Sequence, residues 1–295
     1  MFKPYSKANF KTLFTDAKTT AKTNNAQIIE LETVNANPSG NHQHKLLESA
    51  LDTQTYSFTY GFDKLSEESR DSVAVLRDKD GIFDPHDNFA RIAKNTNDHF
   101  VKKDENANDQ HNTPKYPKFD VQGHSGNNKL LQLEGDKFVV KFAKCFDIPA
   151  EFVIRVMLQA YSKLNEGGCH QDDTARLRVL ISITDLDDGC IDWSCGYMKD
   201  KQDETKVMFR QSYKPGVTVS IFGDVSKRND VWKSGPDCDR NTTNGYHRGK
   251  GTNRLVFWFE VDADEMLANG YNTLNMTPAN IDKFIALLLG SQSSS

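Results

Sequence analysis

The sequence predicts a mostly β fold with flanking helices, in which short antiparallel strands form a sandwich or a closed barrel. Beyond residue 150 the chain contains several short runs rich in β-branched and aromatic residues. Turn residues separate these runs, and the connections between them are uneven in length. The regular helices that parallel βαβ units need are missing between the runs, which favours antiparallel pairing.

The composition is that of a chain able to bury a core. Of its 295 residues 37% are hydrophobic, and 18 Phe, 9 Tyr and 3 Trp supply large apolar area. The length suits one core of about 150 to 200 residues with accessory elements. We expect an N-terminal accessory region of helices and loops at 1–128, the β core at 129–262, and a C-terminal helix packed on the core at 263–295.

Charge and apolar patterning narrow the class of partners. The formal net charge is -4 and there is no long basic run, so nucleic acid is not the expected partner. The longest apolar stretches fall far short of the roughly 20 residues of a membrane span, and the first residues lack a signal-peptide core. Five cysteines without a C-x-x-C pair indicate reduced thiols. We therefore expect a cytoplasmic protein that binds a small molecule and no membrane.

The individual elements follow from periodicity and end signals. A helix is predicted over 137–146, where apolar residues recur at helical spacing and Pro149 forbids continuation. The last helix begins with Thr277 as N-cap and Pro278 at its first position, ends before Gly290, and should pack outside the barrel. Shorter amphipathic helices are predicted over 44–51, 66–76 and 87–93. The predicted strands are 152–161, 176–184, 207–210, 217–222 and 254–261.

The chemistry is concentrated in the stretch GGCHQDD, where His170 and Asp172 lie two residues apart just before a predicted strand. In an extended chain such residues point to the same side, so an imidazole and a carboxylate can approach one metal ion together. His247, just before the last predicted strand, is well placed as a third ligand. Two histidines and a carboxylate on one face of an octahedral ion form the facial triad of non-haem iron(II) oxygenases.

The order of segments around this motif resembles a known family. AYSKLNEGGCHQDD is followed by a strand ending in DLDDGC, by YKPGVTVSIFGD, by YH and by a strand that starts with arginine. Over 152–261 this order resembles the Fe(II)/2-oxoglutarate-dependent oxygenases, most closely their prolyl-hydroxylase-like branch. The resemblance implies a double-stranded β-helix (jelly roll) core, with Fe(II) bound by His170, Asp172 and His247. Asp173 is an alternative ligand, although its opposite parity favours a supporting role.

The resemblance also implies the cosubstrates and the residues that bind them. The cosubstrates are 2-oxoglutarate and O2, with ascorbate as a stimulant, and no side chain is assigned as a general acid or base. Arg254 corresponds to the family arginine that binds the distal carboxylate of 2-oxoglutarate, a role that suits a planar guanidinium. Tyr161 matches the tyrosine that hydrogen-bonds the cosubstrate. Because the gap from His247 to Arg254 is short for the family, Arg248 and Lys250 are alternative cations.

Strand alternation predicts which further side chains face the pocket. Gln159 and Arg155 share a strand side with Tyr161, and we include Gln159 in the cosubstrate site. On the next strand Arg178 and Ser182 share one side, so both should line the pocket, with Ser182 near the cosubstrate. The residues predicted to pack outward against helices are Leu177, Val179 and Ile181.

The implied activity is oxidation of a C–H bond, by hydroxylation, desaturation or oxidative cyclisation. A small polar or amino-acid-like substrate is favoured, since the chain is acidic and carries no recognisable peptide-binding or nucleic-acid-binding module. One alternative within the same chemistry is a peptidyl hydroxylase of the prolyl type. An alternative of another class is a non-enzymatic jelly-roll binding module, in which the three predicted ligands do not meet.

Overall fold

The computed structural model describes residues 7–36, 55–77, 80, 92, 119–120, 128–132, 136–161, 177–184, 189–194, 204–223, 246–251 and 254–290. The helices are α1 (Lys7–Thr23), α2 (Glu67–Ala74), α3 (Asp136–Cys145), α4 (Ala263–Ala268) and α5 (Pro278–Leu289). The strands are β1 (Gln27–Ile29), β2 (Glu32–Thr33), β3 (Thr55–Tyr60), β4 (Phe119–Asp120), β5 (Asn128–Gln132), β6 (Val153–Tyr161), β7 (Leu177–Thr184), β8 (Cys190–Ser194), β9 (Val207–Ser212), β10 (Gly216–Gly223), β11 (Tyr246–Lys250) and β12 (Arg254–Val261).

The strands form two antiparallel sheets, so the predicted mostly β fold with helices is confirmed. The larger sheet has the order β1-β3-β10-β7-β12-β6-β5-β4, and the smaller has the order β11-β8-β9-β2. The pairs are nested along the chain: β8 pairs with β9, β7 with β10 outside them, and β6 with β12 outside both. The chain therefore crosses between the sheets after β1, β2, β7, β9, β10 and β11.

Alternation along the larger sheet separates an apolar face from a polar face. Leu177, Val179 and Ile181 of β7 are fully buried in a core cluster that includes residues of α1, α3 and α5, as strand alternation predicts. Phe142 of α3 lies at the centre of this core. Its ring centroid is 4.7 Å from that of Phe259 and 6.0 Å from that of Phe284 in α5. The polar side chains of the same strands point to the opposite face.

The helix ends follow the predicted signals. The Thr277 side chain accepts a hydrogen bond from the Asn280 backbone N–H, Pro278 occupies the first helical position, and Gly290 beyond the end has a φ of 77°. Ser66 caps α2 in the same way. The helix predicted over 137–146 is α3, and α5 packs on the apolar face of the larger sheet as expected. Of the two other predicted helices, 44–51 lies outside the described residues, as does all of 87–93 except Ile92.

Residues before position 129 contribute directly to the sheets. β1 and β3 extend the larger sheet beyond β10, and β2 pairs with β9 in the smaller sheet. The sequence reading did not predict α1, whose buried residues Leu13, Ala17 and Ala21 recur every four positions. The Asp16 carboxylate accepts a hydrogen bond from the Leu274 N–H, which ties α1 to the C-terminal region. Among the described residues no helix is long and apolar enough to cross a bilayer.

Candidate functional site

The two sheets face each other across a polar interior. The Thr55 hydroxyl on β3 donates to Gln211 Oε1 on β9 at 3.3 Å, which joins one sheet to the other. Next to it, the hydroxyls of Ser57 and Ser220 are 2.9 Å apart. The buried hydroxyl residues on this face of the larger sheet are Thr55, Ser57, Thr59, Ser182, Thr184, Thr218 and Ser220. Because buried polar groups are costly unless they are hydrogen-bonded, such a layer is unusual in an ordinary apolar core.

Arg254, at the start of β12, brings a positive charge into this interior. Arg254 is only 2% exposed, and its guanidinium carbon lies 5.0 Å from the centre of the Tyr213 ring. A Cβ atom on Gly249 would lie 2.8 Å from Arg254 Nη2, and one on Gly189 would lie 3.6 Å from Nη1. Two glycines and an aromatic ring therefore form a close-fitting cradle around the guanidinium.

His247 lies on β11, two residues before Gly249, and so faces the same interior. It is 9% exposed, and its ring centroid is 5.1 Å from that of Trp193 and 5.5 Å from that of Phe222. The Trp193 indole N–H donates to Gln211 Oε1 at 3.2 Å, which fixes the indole ring in place. Aromatic side chains from both sheets thus position the imidazole.

Two of the three predicted iron ligands, His170 and Asp172, lie outside the described residues, as does the alternative Asp173. Within the described ranges no group of three His, Cys, Asp or Glu side chains is arranged to hold a metal ion. The convergence of the triad therefore stays a prediction. His247 meets one condition for it, because it is buried and faces the interior.

The predicted cosubstrate residues occupy neighbouring positions in the larger sheet. Tyr161 of β6 is the cross-strand partner of Arg254, and Gln159 is the partner of Val256. Val256 is in turn the partner of Ser182 on β7. Ser182 is 1% exposed, and its Oγ has no hydrogen-bond partner among the residues that the structure describes. A buried hydroxyl in that state is the kind of group that a bound ligand satisfies.

The alternative cations Arg248 and Lys250 point away from this interior. Arg248 Nη2 lies 3.1 Å from Asp192 Oδ2, and Lys250 contacts the carboxylate of Glu204. Arg210 also binds Asp192, with Nε 2.7 Å from Oδ1. Strand alternation puts Arg248 and Lys250 on the outer face of the smaller sheet, among carboxylates, which favours Arg254 over them as the cation that faces the interior.

The ion pairs of Asp192 and Glu204 with Arg210, Arg248 and Lys250, on the outer face of the smaller sheet, shift the pKa values of the acidic groups there. Burial alone would raise the pKa of Asp192, but the hydrogen bond and charge of Arg210 and the charge of Arg248 outweigh it and lower the pKa. The hydrogen bond from Lys250 lowers the pKa of Glu204. Burial, reinforced by Asp192, raises the pKa of the Cys190 thiol to about 12, so it stays protonated and unreactive at neutral pH.

Two neighbouring side chains on the interior face of the larger sheet are partly exposed. In β7 and β12, all of whose residues are described, only Leu180 and Trp258 are partly exposed, and these two are cross-strand partners. Leu180 packs against the cluster that contains Trp193 and Phe222. This partly exposed pair therefore lies on the interior face, about 13 Å along β12 from Arg254 at roughly 3.3 Å per residue.

Sequence reasoning missed the aromatic and glycine residues that shape the site: Trp193, Tyr213, Phe222, Gly189 and Gly249. A signal for Gly249 was present, since it shares the parity of His247 and lies between a predicted ligand and a predicted carboxylate-binding arginine. No comparable signal marked Trp193 or Tyr213. The strand that carries Trp193 was not predicted, and the predicted strand 207–210 ends before Tyr213. Their roles depend on the packing of one sheet on the other.

Comparisons with known proteins give only distant similarities. No protein-family model matches the chain, and no curated protein is significantly similar to it. A solved structure of Escherichia coli YcfD aligns with 12% identity and a TM-score of 0.28, over 55% of this chain and 47% of that chain. The ribosomal oxygenase YcfD from Escherichia coli, solved with cobalt and succinic acid, aligns with 14% identity and a TM-score of 0.27, over 55% and 46%.

Vicilin from hazelnut, Corylus avellana, is similar to the same low degree. It aligns with 12% identity and a TM-score of 0.26, over 58% of this chain and 43% of the vicilin chain. This chain thus aligns with less than half the length of each of these proteins. At such TM-scores the similarities carry no weight for the fold or the activity.

Proposed function

We propose that this chain is an Fe(II)- and 2-oxoglutarate-dependent oxygenase with a jelly-roll core, which oxidises a C–H bond of a small molecule. The observation that carries the proposal is the buried Arg254 guanidinium, held between Gly249, Gly189 and Tyr213 inside a two-sheet barrel. A planar guanidinium buried in a polar interior is suited to bind a carboxylate. His247 on the preceding strand faces the same space.

The strand pairing supports the jelly-roll part of the proposal. Nested antiparallel pairs that alternate between two facing sheets are how a jelly roll is wound. Here β8–β9 lies in the smaller sheet, β7–β10 nests outside it in the larger sheet, and β6–β12 nests outside both, also in the larger sheet. Such barrels leave an interior between the sheets in which side chains from several strands can converge on one ligand.

The described residues fit the implied cofactor and cosubstrate. The Arg254 guanidinium, inside the barrel, matches a carboxylate in geometry and charge. The Ser182 hydroxyl, buried and unsatisfied in the described structure, can donate to a carboxylate oxygen. His247 supplies a neutral nitrogen donor of the kind that iron(II) accepts, and its aromatic neighbours keep the ring from rotating.

Each of these side chains has a separate task in the proposed reaction. Iron(II) with 2-oxoglutarate supplies the oxidation of the C–H bond, with O2 as oxidant and with succinate and CO2 as products. Arg254 neutralises the distal carboxylate and orients the cosubstrate along the barrel, and Tyr161 and Gln159 occupy positions on the neighbouring strand β6. The polar layer and the packed aromatic rings limit the entry of bulk water, and no side chain has to transfer a proton.

Anaerobic addition of Fe(II) and 2-oxoglutarate to the purified chain tests the proposal. A weak visible charge-transfer band is expected, and Asp172→Ala should abolish it. Asp173→Ala is the matched control, because it removes the neighbouring carboxylate and should leave the band. Loss of the band in the Asp173 variant alone would make Asp173 the ligand.

A chain that shows no band, and no succinate production in air, would refute the oxygenase proposal. The non-enzymatic binding module would then be the better description of the barrel. A chain that shows the band but turns over only with peptides would be a peptidyl hydroxylase. Incubation with small metabolites and with peptides, followed by mass spectrometry for oxidised products, separates these two outcomes.

A further inference from the structure

Four buried side chains form a closed bridge between the two sheets beside His247. Thr55 and Phe222 are cross-strand partners in the larger sheet. In the smaller sheet, the indole N–H of Trp193 donates to Gln211 Oε1 at 3.2 Å. Two contacts cross the interior: the Thr55 hydroxyl donates to the same oxygen at 3.3 Å, and the ring centroids of Phe222 and Trp193 lie 5.9 Å apart. We call these four residues the sheet bridge.

The orientation of the Gln211 amide follows from the chemistry of its neighbours. An indole N–H can only donate, so the amide atom that faces Trp193 is the oxygen and not the nitrogen. The same oxygen accepts from Thr55, and the two bonds use both of its lone pairs. Gln211 is 2% exposed, Trp193 4% and Thr55 6%, so these bonds are shielded from bulk water. One amide oxygen thus satisfies two buried donors, one from each sheet.

The sheet bridge holds the ring that packs against the predicted metal ligand. Trp193 is the cross-strand partner of His247, and their ring centroids lie 5.1 Å apart with the planes at 47°. Phe222 contacts both rings, at 5.9 Å from Trp193 and 5.5 Å from His247. Because the three rings contact one another, a turn of the indole about its side-chain bonds would displace the imidazole. The indole has one polar atom, and its bond to Gln211 keeps the ring in one rotamer.

We propose that Gln211 is a positioning residue for the predicted iron centre. The Thr55 hydroxyl fixes the Gln211 oxygen, and this oxygen fixes the Trp193 indole. The indole in turn holds the His247 imidazole in the direction that the metal requires. Gln211 acts through Trp193 and does not itself bind the metal or the cosubstrate. The inference rests on the proposed oxygenase function and adds to its site a residue from β9, a strand that carries none of the predicted ligands.

The expected size of the effect follows from how metal sites respond to the loss of orienting side chains. Residues that orient a ligating imidazole change metal affinity by about 10- to 100-fold when they are removed. His247 packs against two aromatic rings, so its direction depends on where those rings lie. The indole of Trp193 is the one of the two that is held by a hydrogen bond. Removing the Gln211 oxygen should therefore loosen the imidazole without touching it.

Titration of Co(II) into the full chain with 2-oxoglutarate present tests the inference, with the visible absorption of the metal as the readout. Gln211→Met keeps the length of the side chain and removes the oxygen. It should bind Co(II) about 10- to 100-fold more weakly than the parent does. Gln211→Glu keeps an oxygen acceptor in either protonation state and should bind Co(II) at least as tightly as the parent. A folded Gln211→Met variant with the parent's affinity overturns the inference.

Trp193→Phe cuts the same bond from the other side, because it removes the indole N–H and keeps an aromatic ring. It should also weaken Co(II) binding, and a folded Trp193→Phe variant with the parent's affinity overturns the inference by itself. In that background Gln211→Met should cost little further affinity, since the bond is already gone. Losses that add in full would show that Gln211 does not act through Trp193, which also overturns the inference.

Tyr60→Phe is the matched control for the loss of one buried hydrogen bond. The Tyr60 hydroxyl donates to the Met276 carbonyl at 3.1 Å, on the opposite face of β3 from Thr55. This variant should keep the parent's affinity for Co(II). If it loses as much affinity as Gln211→Met does, the loss follows from lower stability, and the positioning role is wrong.

The bond itself can be observed without metal. The indole N–H signal of Trp193 in a proton–nitrogen NMR spectrum is identified by its absence from Trp193→Phe. It should move upfield in Gln211→Met, and an unmoved signal contradicts the bond and the inference with it.

The inference and the oxygenase function fail in different ways. A parent chain that binds no Co(II) refutes the oxygenase function and the inference together. A parent that binds Co(II), beside a Gln211→Met variant of equal affinity, refutes the inference alone and leaves the oxygenase function standing.

Discussion

Gly249→Ala is the smallest change that tests the cradle around Arg254. The added Cβ would lie 2.8 Å from Arg254 Nη2, whereas ordinary contacts of a Cβ fall between 3.4 and 4 Å. Because the contact is with the end of a flexible side chain, the backbone can stay in place. The guanidinium has to move away by at least about 0.6 Å, which is the difference between the two distances.

That displacement is large for a hydrogen bond. A donor–acceptor distance of about 2.8 Å would become about 3.4 Å, beyond the usual range for a protein hydrogen bond. A hydrogen bond to a charged group contributes about 1.5 to 3 kcal/mol. We therefore expect Gly249→Ala to weaken 2-oxoglutarate binding by about 10- to 150-fold. The free energy of unfolding should change by less than the binding energy does, since Gly249 has no positive φ.

The affinity is measured by titrating 2-oxoglutarate into the anaerobic Fe(II) form and following the charge-transfer band. Pyruvate, which lacks the distal carboxylate, is the control ligand, and its affinity should be unaffected by the alanine. Tyr213→Phe and Tyr213→Leu form a matched pair: phenylalanine keeps the ring face beside Arg254, and leucine removes it. The Tyr213→Phe variant should bind 2-oxoglutarate as tightly as the parent does, and the Tyr213→Leu variant should bind it more weakly.

Unchanged 2-oxoglutarate affinity in a folded Gly249→Ala variant would refute the assignment of Arg254 as the carboxylate anchor. An equal loss of 2-oxoglutarate and pyruvate binding would also contradict it, because the damage would then lie at the metal end of the site and not at the distal carboxylate.

Three further predictions concern stability. Thr277→Ala removes the acceptor for the Asn280 N–H at the start of α5 and should cost about 1 kcal/mol in urea unfolding, while Thr277→Ser should cost little; equal losses would contradict the capping role. Phe142→Ala should cost about 3 to 5 kcal/mol, because its ring touches four other phenylalanine rings, and Phe142→Leu should cost clearly less. The third prediction concerns the free energy of unfolding at acid pH. Because Arg210 and a second arginine lower the pKa of Asp192 below its ordinary 3.8, its carboxylate stabilises the fold above that pH, and the contribution is lost as the pH falls through the lowered pKa. Asp192→Asn should flatten the dependence of unfolding free energy on pH in that acid range, and an unchanged slope would refute the network.

Several elements were predictable because their signals are local. The caps and periodicity of α3 and α5 depend on neighbouring residues, and β7 and β10 of the larger sheet carry aliphatic residues at every second position. β8 and β11 were missed because they are short and rich in polar residues such as Asp192 and Arg248. Their strand conformation depends on pairing with β9 and on the ion network across their outer face.

The residues of the candidate site were also predictable only where the signal is local. Strand parity sufficed to predict that Arg178 and Ser182 share a face opposite Leu177, Val179 and Ile181. The family resemblance assigned Arg254 and Tyr161 to the same cosubstrate, and the two residues are cross-strand partners. Parity could not choose among Arg254, Arg248 and Lys250, since that choice depends on which side of the smaller sheet faces the larger one.

The sequence by itself determined the class of fold, the ends of two helices, and which side chains of each strand lie together. These depend on backbone conformation and on the period of two residues per strand repeat. Only the tertiary structure decided that Arg254 faces the polar interior while Arg248 and Lys250 face the other side of the smaller sheet, that Tyr213 and two glycines surround it, and that Leu180 and Trp258 stay partly exposed. Those features arise from the packing of two sheets whose strands are distant in the chain, so no local pattern contains them.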